Sequence, residues 1–299
     1  MAPSKITENE IKNPGFYVGI AGEFIGTFVL LAVQCAIVIR WDNIDDGLAR
    51  TQGESGTPVH IALGMGFTLG LLVEALGPVS GAHVNPAVTI AMLIAQKISL
   101  MRAIPYIAVQ IAGALAGAGF IYGVTPASRR GNLAVTAPGP EVTDTQAVLL
   151  EMFFTAVLIL SILGATDERL KPRYVPSVPI GTTLTALVLM GVKSTGASLN
   201  PARSLGPAVI MRLWRSHWVY WVGPIAGAII SSILYRYGFA YILYQDLDHK
   251  EAEAKRLLRQ GGKYEELQVN NGTTIVYDNI AYITDSNDKK DSKYYKDKF

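Results

Sequence analysis

Hydrophobic residues are concentrated in long, nearly uncharged runs between residues 16 and 238. A helix needs about 20 mostly apolar residues to cross the hydrocarbon core of a bilayer. Six runs come close to that length: 16–39, 58–77, 103–123, 147–166, 176–193 and 218–238. The pattern therefore predicts six membrane-spanning helices.

Two shorter apolar runs, 84–96 and 198–211, each begin at the tripeptide Asn-Pro-Ala. They are too short to span a bilayer, and runs of this length are typical of re-entrant segments. Non-helical backbone at membrane depth is tolerated where it is buried in protein or lines a water-filled cavity. We therefore expect both runs to enter the membrane and turn back.

The chain repeats itself. Three ordered matches carry the repeat: Gly81–Ala87 with Gly196–Ala202, Glu23–Thr27 with Glu151–Thr155, and Gln110–Ala114 with Pro224–Ala228. Repeat one covers about 16–123 and repeat two about 147–238. Each holds three spans, and an odd number of spans inverts the second repeat relative to the first. Sites in such inverted repeats lie near the midplane, where paired short segments meet.

Composition supports a membrane protein and excludes several other classes. Half of the 299 residues are hydrophobic and only 17% are charged. A net charge of +2 gives no reason to expect a nucleic-acid partner. The single cysteine, Cys35, rules out an internal disulfide. Because the sequence has no metal-ligand cluster, phosphate loop or nucleophile–base arrangement, we expect no enzyme activity, no cofactor and no metal.

Basic residues set the predicted orientation. The short 167–175 connection carries Arg169, Lys171 and Arg173, and the C-terminal tail is rich in lysine. Because basic connections favour the cytoplasmic side, both termini are predicted to be cytosolic. We expect residues 1–15 to form an N-terminal tail. Residues 239–299 should form a C-terminal tail with a short helix at 245–262 and a disordered remainder.

Residues 16–238 resemble the aquaporin (major intrinsic protein) family. Two Asn-Pro-Ala boxes, an arginine directly after the second box, and six spans carry the resemblance. It implies an all-α integral membrane fold, with six transmembrane helices and two re-entrant half-helices in an inverted repeat. It also implies a homotetramer in membrane lipid, with one pore in each protomer. We expect the plasma membrane as its location.

The two boxes comprise Asn85, Pro86, Ala87, Asn200, Pro201 and Ala202. Proline is favoured at the first position of a helix, and asparagine is favoured as the N-cap before it. Each half-helix N-terminus carries roughly half a positive charge. Two such ends facing one pore would repel cations, protons included.

The two asparagine side chains carry the predicted chemistry of the pore. Their carbonyl oxygens can cap the half-helices, which leaves the NH₂ groups free to donate to a passing water. A water that accepts from both donors has its lone pairs occupied. It cannot pass a proton along the file, although the water itself moves.

A selectivity filter is expected at Met65, Val188, Ala197 and Arg203 by alignment on the boxes. Water-selective family members usually have an aromatic residue in place of Met65 and a histidine in place of Val188. The resemblance therefore implies a wider and more apolar filter that would favour glycerol or urea. Against this, Ser204 stands where glycerol-conducting members usually show aspartate. Ala197 replaces a frequent mercury-reactive cysteine.

Three further polar residues are expected to brace the boxes: Glu23, Glu151 and His83. Carboxylates inside membrane segments need partners. The resemblance implies that Glu23 and Glu151 accept hydrogen bonds from backbone N–H groups of the box loops. A proton relay is the alternative role for the glutamates, and a pH gate is the alternative for His83.

The sequence predicts a passive channel for water that excludes protons and ions and also admits glycerol or urea. One alternative is a channel primarily for glycerol and other small neutral solutes. An ion-coupled secondary transporter with inverted repeats is a second alternative, and a junction protein without conductance is a third.

Overall fold

The computed structural model describes residues 10–39, 41, 57–167 and 175–240, and the strands between residues 265 and 297. Eight α-helices make up the first region: α1 Pro14–Ile37, α2 Pro58–Ser80, α3 Pro86–Ile94, α4 Leu100–Val124, α5 Asp144–Ala165, α6 Ser177–Gly191, α7 Pro201–Met211 and α8 Val219–Ile233. A wider helical segment, Leu234–Ala240, continues α8.

Five helices are long and apolar enough to cross a membrane: α1, α2, α4, α5, and α8 with its continuation to Phe239. The prediction of a span is confirmed for these five. The sixth, α6, has 15 residues and is about 22 Å long, which is shorter than a hydrocarbon core. Residues 168–174 before it lie outside the described part, so the crossing of α6 stays a prediction.

Local sequence signals explain where the helices begin. Proline stands at the start of α1, α2, α3 and α7. Side-chain caps precede α4 and α5: Ser99 accepts from the backbone N–H of Arg102, and Thr143 and Gln146 form a capping box. Helix α2 ends at Gly81, which has a φ of +91° that glycine adopts without strain.

Glycines allow the two repeats to pack their helices in the same way. A Cβ atom on Gly113 of α4 would lie 2.5 Å from the Phe24 carbonyl oxygen of α1. On α8, a Cβ atom on Gly227 would collide with the Met152 carbonyl oxygen of α5. Small residues let backbones approach closely in lipid. The pairs α1–α4 and α5–α8 are therefore equivalent contacts of the two halves.

The C-terminal region forms a separate unit, Arg236–Phe299. It holds an antiparallel meander of four strands: β1 Glu265–Val269, β2 Gly272–Tyr277, β3 Ile280–Asp285 and β4 Lys293–Asp297. Tyr282 is paired with Ile275 on one side and Tyr295 on the other. The β-branched and aromatic residues of these strands favour extended backbone, and the disordered tail stays a prediction. The helix predicted at 245–262 lies outside the described residues.

Candidate pore site

Each box is reached through a strained loop that is repeated in the two halves. Glycine in the left-handed region opens both loops, with φ of +91° at Gly81 and +86° at Gly196. Non-glycine residues then adopt the same conformation: Ala82 (+48°), Val84 (+45°), Ala197 (+46°) and Leu199 (+55°). Positive φ is a genuine outlier for a β-branched residue such as Val84. Such loops persist only where surrounding contacts hold them.

Glu23 on α1 holds the first loop. Its Oε1 accepts from Ser80 Oγ at 2.7 Å and from the backbone N–H of His83 at 2.9 Å. Its Oε2 accepts from the backbone N–H of Val84 and from Gln110 Nε2, both at 2.7 Å. The carboxylate is fully buried and takes four donors, two of them backbone N–H groups of the strained segment.

Glu151 on α5 holds the second loop in the same way. Its Oε1 accepts from Thr195 Oγ1 at 2.6 Å and from the backbone N–H of Ser198 at 2.9 Å. Its Oε2 accepts from the backbone N–H of Leu199 at 2.8 Å. Ser198 and Leu199 occupy the positions of His83 and Val84 in the first repeat. Both glutamates thus accept the loop N–H groups, as the sequence predicts.

The His83 ring packs inside the first repeat. Its Nδ1 lies 3.1 Å from Thr89 Oγ1, and the ring meets Tyr106 edge to face at 5.6 Å between centroids. The side chain is buried. These contacts join the loop before the box to the half-helix after it, so the ring supports the bend between them.

Both box asparagines cap their half-helices. Asn85 and Asn200 have extended backbone, with φ of −159° and −148°. Asn85 Oδ1 accepts from the backbone N–H of Ala87 at 2.8 Å. Asn200 Oδ1 accepts from the backbone N–H groups of Ala202 at 3.0 Å and Arg203 at 3.2 Å. Pro86 and Pro201 begin the two helices, as predicted.

Each asparagine also reaches into the opposite repeat. Asn85 Nδ2 donates to the Leu199 carbonyl oxygen at 2.9 Å, and Asn200 Nδ2 donates to the Val84 carbonyl oxygen at 2.9 Å. The two boxes are therefore neighbours. An amide NH₂ has two hydrogens, and each cross-repeat bond uses one of them. The predicted donation to a passing water is therefore left with one hydrogen on each asparagine.

Arg203 lies one residue past the second box and is 3% exposed. Its Nη1 donates to the Ala134 carbonyl oxygen at 2.7 Å, whereas its Nε is buried and finds no partner among the described residues. Leu133 and Ala134 both have positive φ, at +53° and +60°. This strained turn in the 125–143 connection thus presents a carbonyl to the guanidinium.

The other predicted filter residues are apolar and buried. Met65, Val188 and Ala197 belong to one hydrophobic cluster. Ser204, which follows Arg203, is buried in a hydroxyl chain: its Oγ lies 2.6 Å from Ser198 Oγ and accepts from Thr136 Oγ1 at 2.7 Å. Within the described part of the chain, no group of three or more metal-ligating side chains is present.

Comparison with known proteins decides the family. The sequence profile described as Major intrinsic protein matches residues 10–235, which include both boxes, both glutamates and all four filter positions. This chain belongs to the major intrinsic protein family. It is thus a multi-pass membrane protein, and the matched residues are those of the helical unit rather than the strands.

Relatives of this major intrinsic protein carry the name aquaporin. Aquaporin-5 of Sus scrofa is 43% identical over 232 residues, which cover 77% of this chain and 84% of the relative. Aquaporin-2 of Rattus norvegicus is 40% identical over 229 residues, covering 76% and 81%. The X-ray structure of an aquaglyceroporin from Plasmodium falciparum matches with a TM-score of 0.65 and 24% identity, over 77% of this chain and 99% of that one. This last likeness shows the shared fold.

Sequence reasoning missed several partners of the site in this major intrinsic protein, and two of them differ in how they could have been found. Gln110 donates to Glu23, and the carbonyl of Ala134 accepts from Arg203. Gln110 had a signal, because it stands where the repeat places Pro224. A backbone carbonyl in a connection gives no such signal, since any residue could supply it.

Proposed function

We propose that this protein is a passive membrane channel that conducts water along its osmotic gradient and excludes protons and ions. The reciprocal hydrogen bonds of Asn85 and Asn200 carry this proposal, because they bring two capped half-helix N-termini to one point. The aquaporin names of the relatives support the same function. Channel conduction of this kind needs no cofactor, and the protein is not an enzyme.

Proton exclusion follows from the geometry of the boxes. The positive ends of α3 and α7 oppose any cation at the boxes. The remaining amide hydrogens of Asn85 and Asn200 can both donate to one water oxygen. That water then donates its own hydrogens away from the boxes on both sides. A proton arriving along the file finds no lone pair to receive it.

The filter sets which neutral solutes follow water. The unpartnered Nε of Arg203 is a buried donor that a passing oxygen would satisfy. The side chains of Met65, Val188 and Ala197 offer no hydrogen bond. They should therefore accommodate the carbon backbone of glycerol better than a histidine-lined filter would. This apolar composition supports a second candidate, a channel primarily for glycerol or urea.

Oligomeric state and location belong to the same proposal. We infer a homotetramer with one pore in each protomer, inserted in the plasma membrane with both termini in the cytosol. Apolar side chains exposed along the helices support a lipid-embedded surface; they include Phe67 and Leu71 on α2 and Ile104 on α4.

Paired flux measurements on reconstituted vesicles test the function. Stopped-flow light scattering should show rapid osmotic water flow. A proton gradient imposed across the same vesicles should persist. The Val188→His variant should lower glycerol flux more than water flux. Leu189→His, which places the same ring on an exposed neighbour, should change neither. Equal loss of both fluxes in Val188→His would refute the filter assignment, and absence of osmotic flow in the wild type would refute the channel.

Sensitivity to mercuric ion tests separately whether Ala197 lines the filter. The wild type should resist mercuric ion, because its one cysteine, Cys35, is buried. Ala197→Cys should make water flow mercury-sensitive and reversible by thiols. An unblocked Ala197→Cys channel with a titratable thiol would remove Ala197 from the filter.

A further inference from the structure

The connection between α4 and α5, residues 125–143, is bound to the second box region. Three hydrogen bonds fix it there: Ala134 accepts from Arg203, Thr136 donates to Ser204, and the Gly139 N–H donates to the Ser194 carbonyl oxygen at 2.8 Å. Thr136 stands between the other two positions along the chain and is 4% exposed. It is therefore the buried middle anchor of the connection.

The hydroxyl groups that meet at this anchor have a defined donor order, because each hydroxyl has one hydrogen. Ser198 Oγ donates its hydrogen to the Asn200 carbonyl oxygen at 2.9 Å. In the contact of 2.6 Å between Ser198 and Ser204, Ser204 is consequently the donor. Ser204 then accepts from Thr136 Oγ1 at 2.7 Å. The chain runs from Thr136 to the residue that caps α7.

The methyl group of Thr136 contacts the same box loop. A Cβ atom on Gly196, which opens the loop at a φ of +86°, would lie 3.1 Å from Thr136 Cγ2. Threonine is restricted at χ1 by its two branches. Because one branch bonds to Ser204 and the other packs on Gly196, the side chain and the backbone that carries it are held in one position.

The turn just before Thr136 depends on such support. Gly131, Leu133 and Ala134 all have positive φ, and strained backbone of this kind persists only where its surroundings hold it. The Ala134 carbonyl oxygen binds Arg203 Nη1 at 2.7 Å from this turn. The position of the guanidinium therefore depends on the turn, and the turn depends on the anchor two residues later.

We propose that Thr136 is a positioning residue for Arg203 and thereby a determinant of solute selectivity. The inference rests on the proposed channel function, in which Arg203 is the charged donor of the filter. While the hydroxyl chain is intact, the guanidinium stays on the Ala134 carbonyl and its Nε meets a passing oxygen from a fixed position. Without the chain the donor is no longer fixed, and glycerol gains relative to water.

Thr136→Val tests the hydroxyl, because it removes that group and keeps the branched shape. In reconstituted vesicles the ratio of glycerol to water permeability should rise about threefold, the factor that one neutral hydrogen bond provides. Thr136→Ser keeps the hydroxyl and should keep the wild-type ratio. Ser204→Ala breaks the next bond of the chain and should give the same rise, also where Thr136→Val fails to insert. Thr182→Val is the matched control, because the exposed Thr182 hydroxyl bonds only to carbonyl oxygens of its own helix.

The Arg203→Val background separates positioning from a general structural role. There Thr136→Val should leave the permeability ratio unchanged, since both residues act through one guanidinium. A further rise in that background would overturn the proposal, as would an equal loss of both fluxes in Thr136→Val or a ratio that Thr136→Ser does not preserve. A conducting wild type with an unchanged ratio in Thr136→Val would refute this inference alone, whereas a wild type without osmotic flow would refute the channel.

Discussion

The two box regions share one backbone design but differ in the side chains placed on it. Three residues after each asparagine stand Val88 and Arg203, and both are buried, at 4% and 3% exposure. The first position joins the apolar core, whereas the second carries a permanent charge bound to a distant carbonyl. Duplication thus accounts for the frame that holds the boxes, whereas the charged residue of the proposed filter comes from the second half alone.

The bracing glutamates differ in a second way. Glu23 takes a fourth hydrogen bond from Gln110, where the other repeat has Pro224. Glu151 takes three. The second loop has a separate support, the hydroxyl chain of Ser198, Ser204 and Thr136. The same strained loop can therefore be held by two different polar networks.

Replacing each glutamate by glutamine gives the largest expected effect and tests whether the two networks are equivalent. The amide would point an NH₂ group at donors, and hydrogen bonds to a charged acceptor contribute about 1.5–3 kcal/mol each. We expect Glu23→Gln to lower the free energy of unfolding by about 3 kcal/mol or more and Glu151→Gln by less. Chemical unfolding in detergent measures both.

Osmotic flux should fall in the same order as stability. Glu74→Gln is a suitable control, because Glu74 is exposed and its carboxylate contacts Ser177 rather than a box loop. Equal losses for Glu23→Gln and Glu151→Gln would show that the donor from Gln110 adds nothing.

Arg203→Val makes the second box resemble the first and removes the charge. We expect glycerol permeability to rise by about tenfold, in line with the discrimination that one contact provides in a binding pocket. Proton leak should stay low, because the half-helix ends remain. Arg212→Val, at the far end of the same helix, should change neither flux. A large proton leak in Arg203→Val would move proton exclusion from the boxes to the arginine.

Gln110→Leu tests the asymmetry of bracing by a double-mutant cycle. Alone it should cost about 1 kcal/mol or more of unfolding free energy, because it removes one hydrogen bond to a buried carboxylate. Combined with Glu23→Gln, the losses should be less than additive, since the two side chains share that bond. In combination with Glu151→Gln, the two losses of unfolding free energy should be additive. Full additivity in both pairs would contradict an energetic coupling between Gln110 and Glu23.

The smallest expected effect is a pH dependence contributed by His217, in the connection before α8. Partial burial lowers the pKa of His217, whose Nε2 accepts from Trp221 Nε1 at 3.1 Å and so is unprotonated. The unfolded chain takes up a proton below about pH 6.5 while the folded ring resists it. Stability present above that pH is therefore lost as pH falls.

Thermal unfolding followed from pH 7.5 to 5.5 checks this titration. His217→Gln should flatten the profile. The corresponding connection of the first repeat, 95–99, has no histidine; there Lys97 Nζ donates to the Thr166 carbonyl oxygen at 2.9 Å. A profile unchanged in His217→Gln would assign the pH dependence elsewhere.

The fold of the helical unit was predictable because its signals are local. Proline after asparagine predicts the start of α3 and α7, and the structure begins both helices there. The repeat placed Glu23 and Glu151 at matching positions, and the family resemblance implied their hydrogen bonds to the loops. In contrast, Ala134 meets Arg203 across 69 residues, and Gln110 meets Glu23 across 87. Contacts of that separation depend on packing, which one sequence does not display.

The strands of the C-terminal unit illustrate two competing signals in one segment. Charged residues are frequent there, and composition alone favours disorder. The segments Gly272–Tyr277 and Ile280–Asp285 are nevertheless rich in threonine, isoleucine, valine and tyrosine, which favour extended backbone.

The hydrogen bonds between Asn85 and Leu199, and between Asn200 and Val84, span 114 and 116 residues. A ribosome therefore finishes the first box long before its partner exists. Until the second re-entrant segment has been synthesised and inserted, Asn85 lacks its acceptor and the Val84 carbonyl lacks its donor. Assembly of the pore centre is consequently a late, post-insertion event. A truncated product that ends before residue 199 would leave the Asn85 amide and the Val84 carbonyl without these two partners.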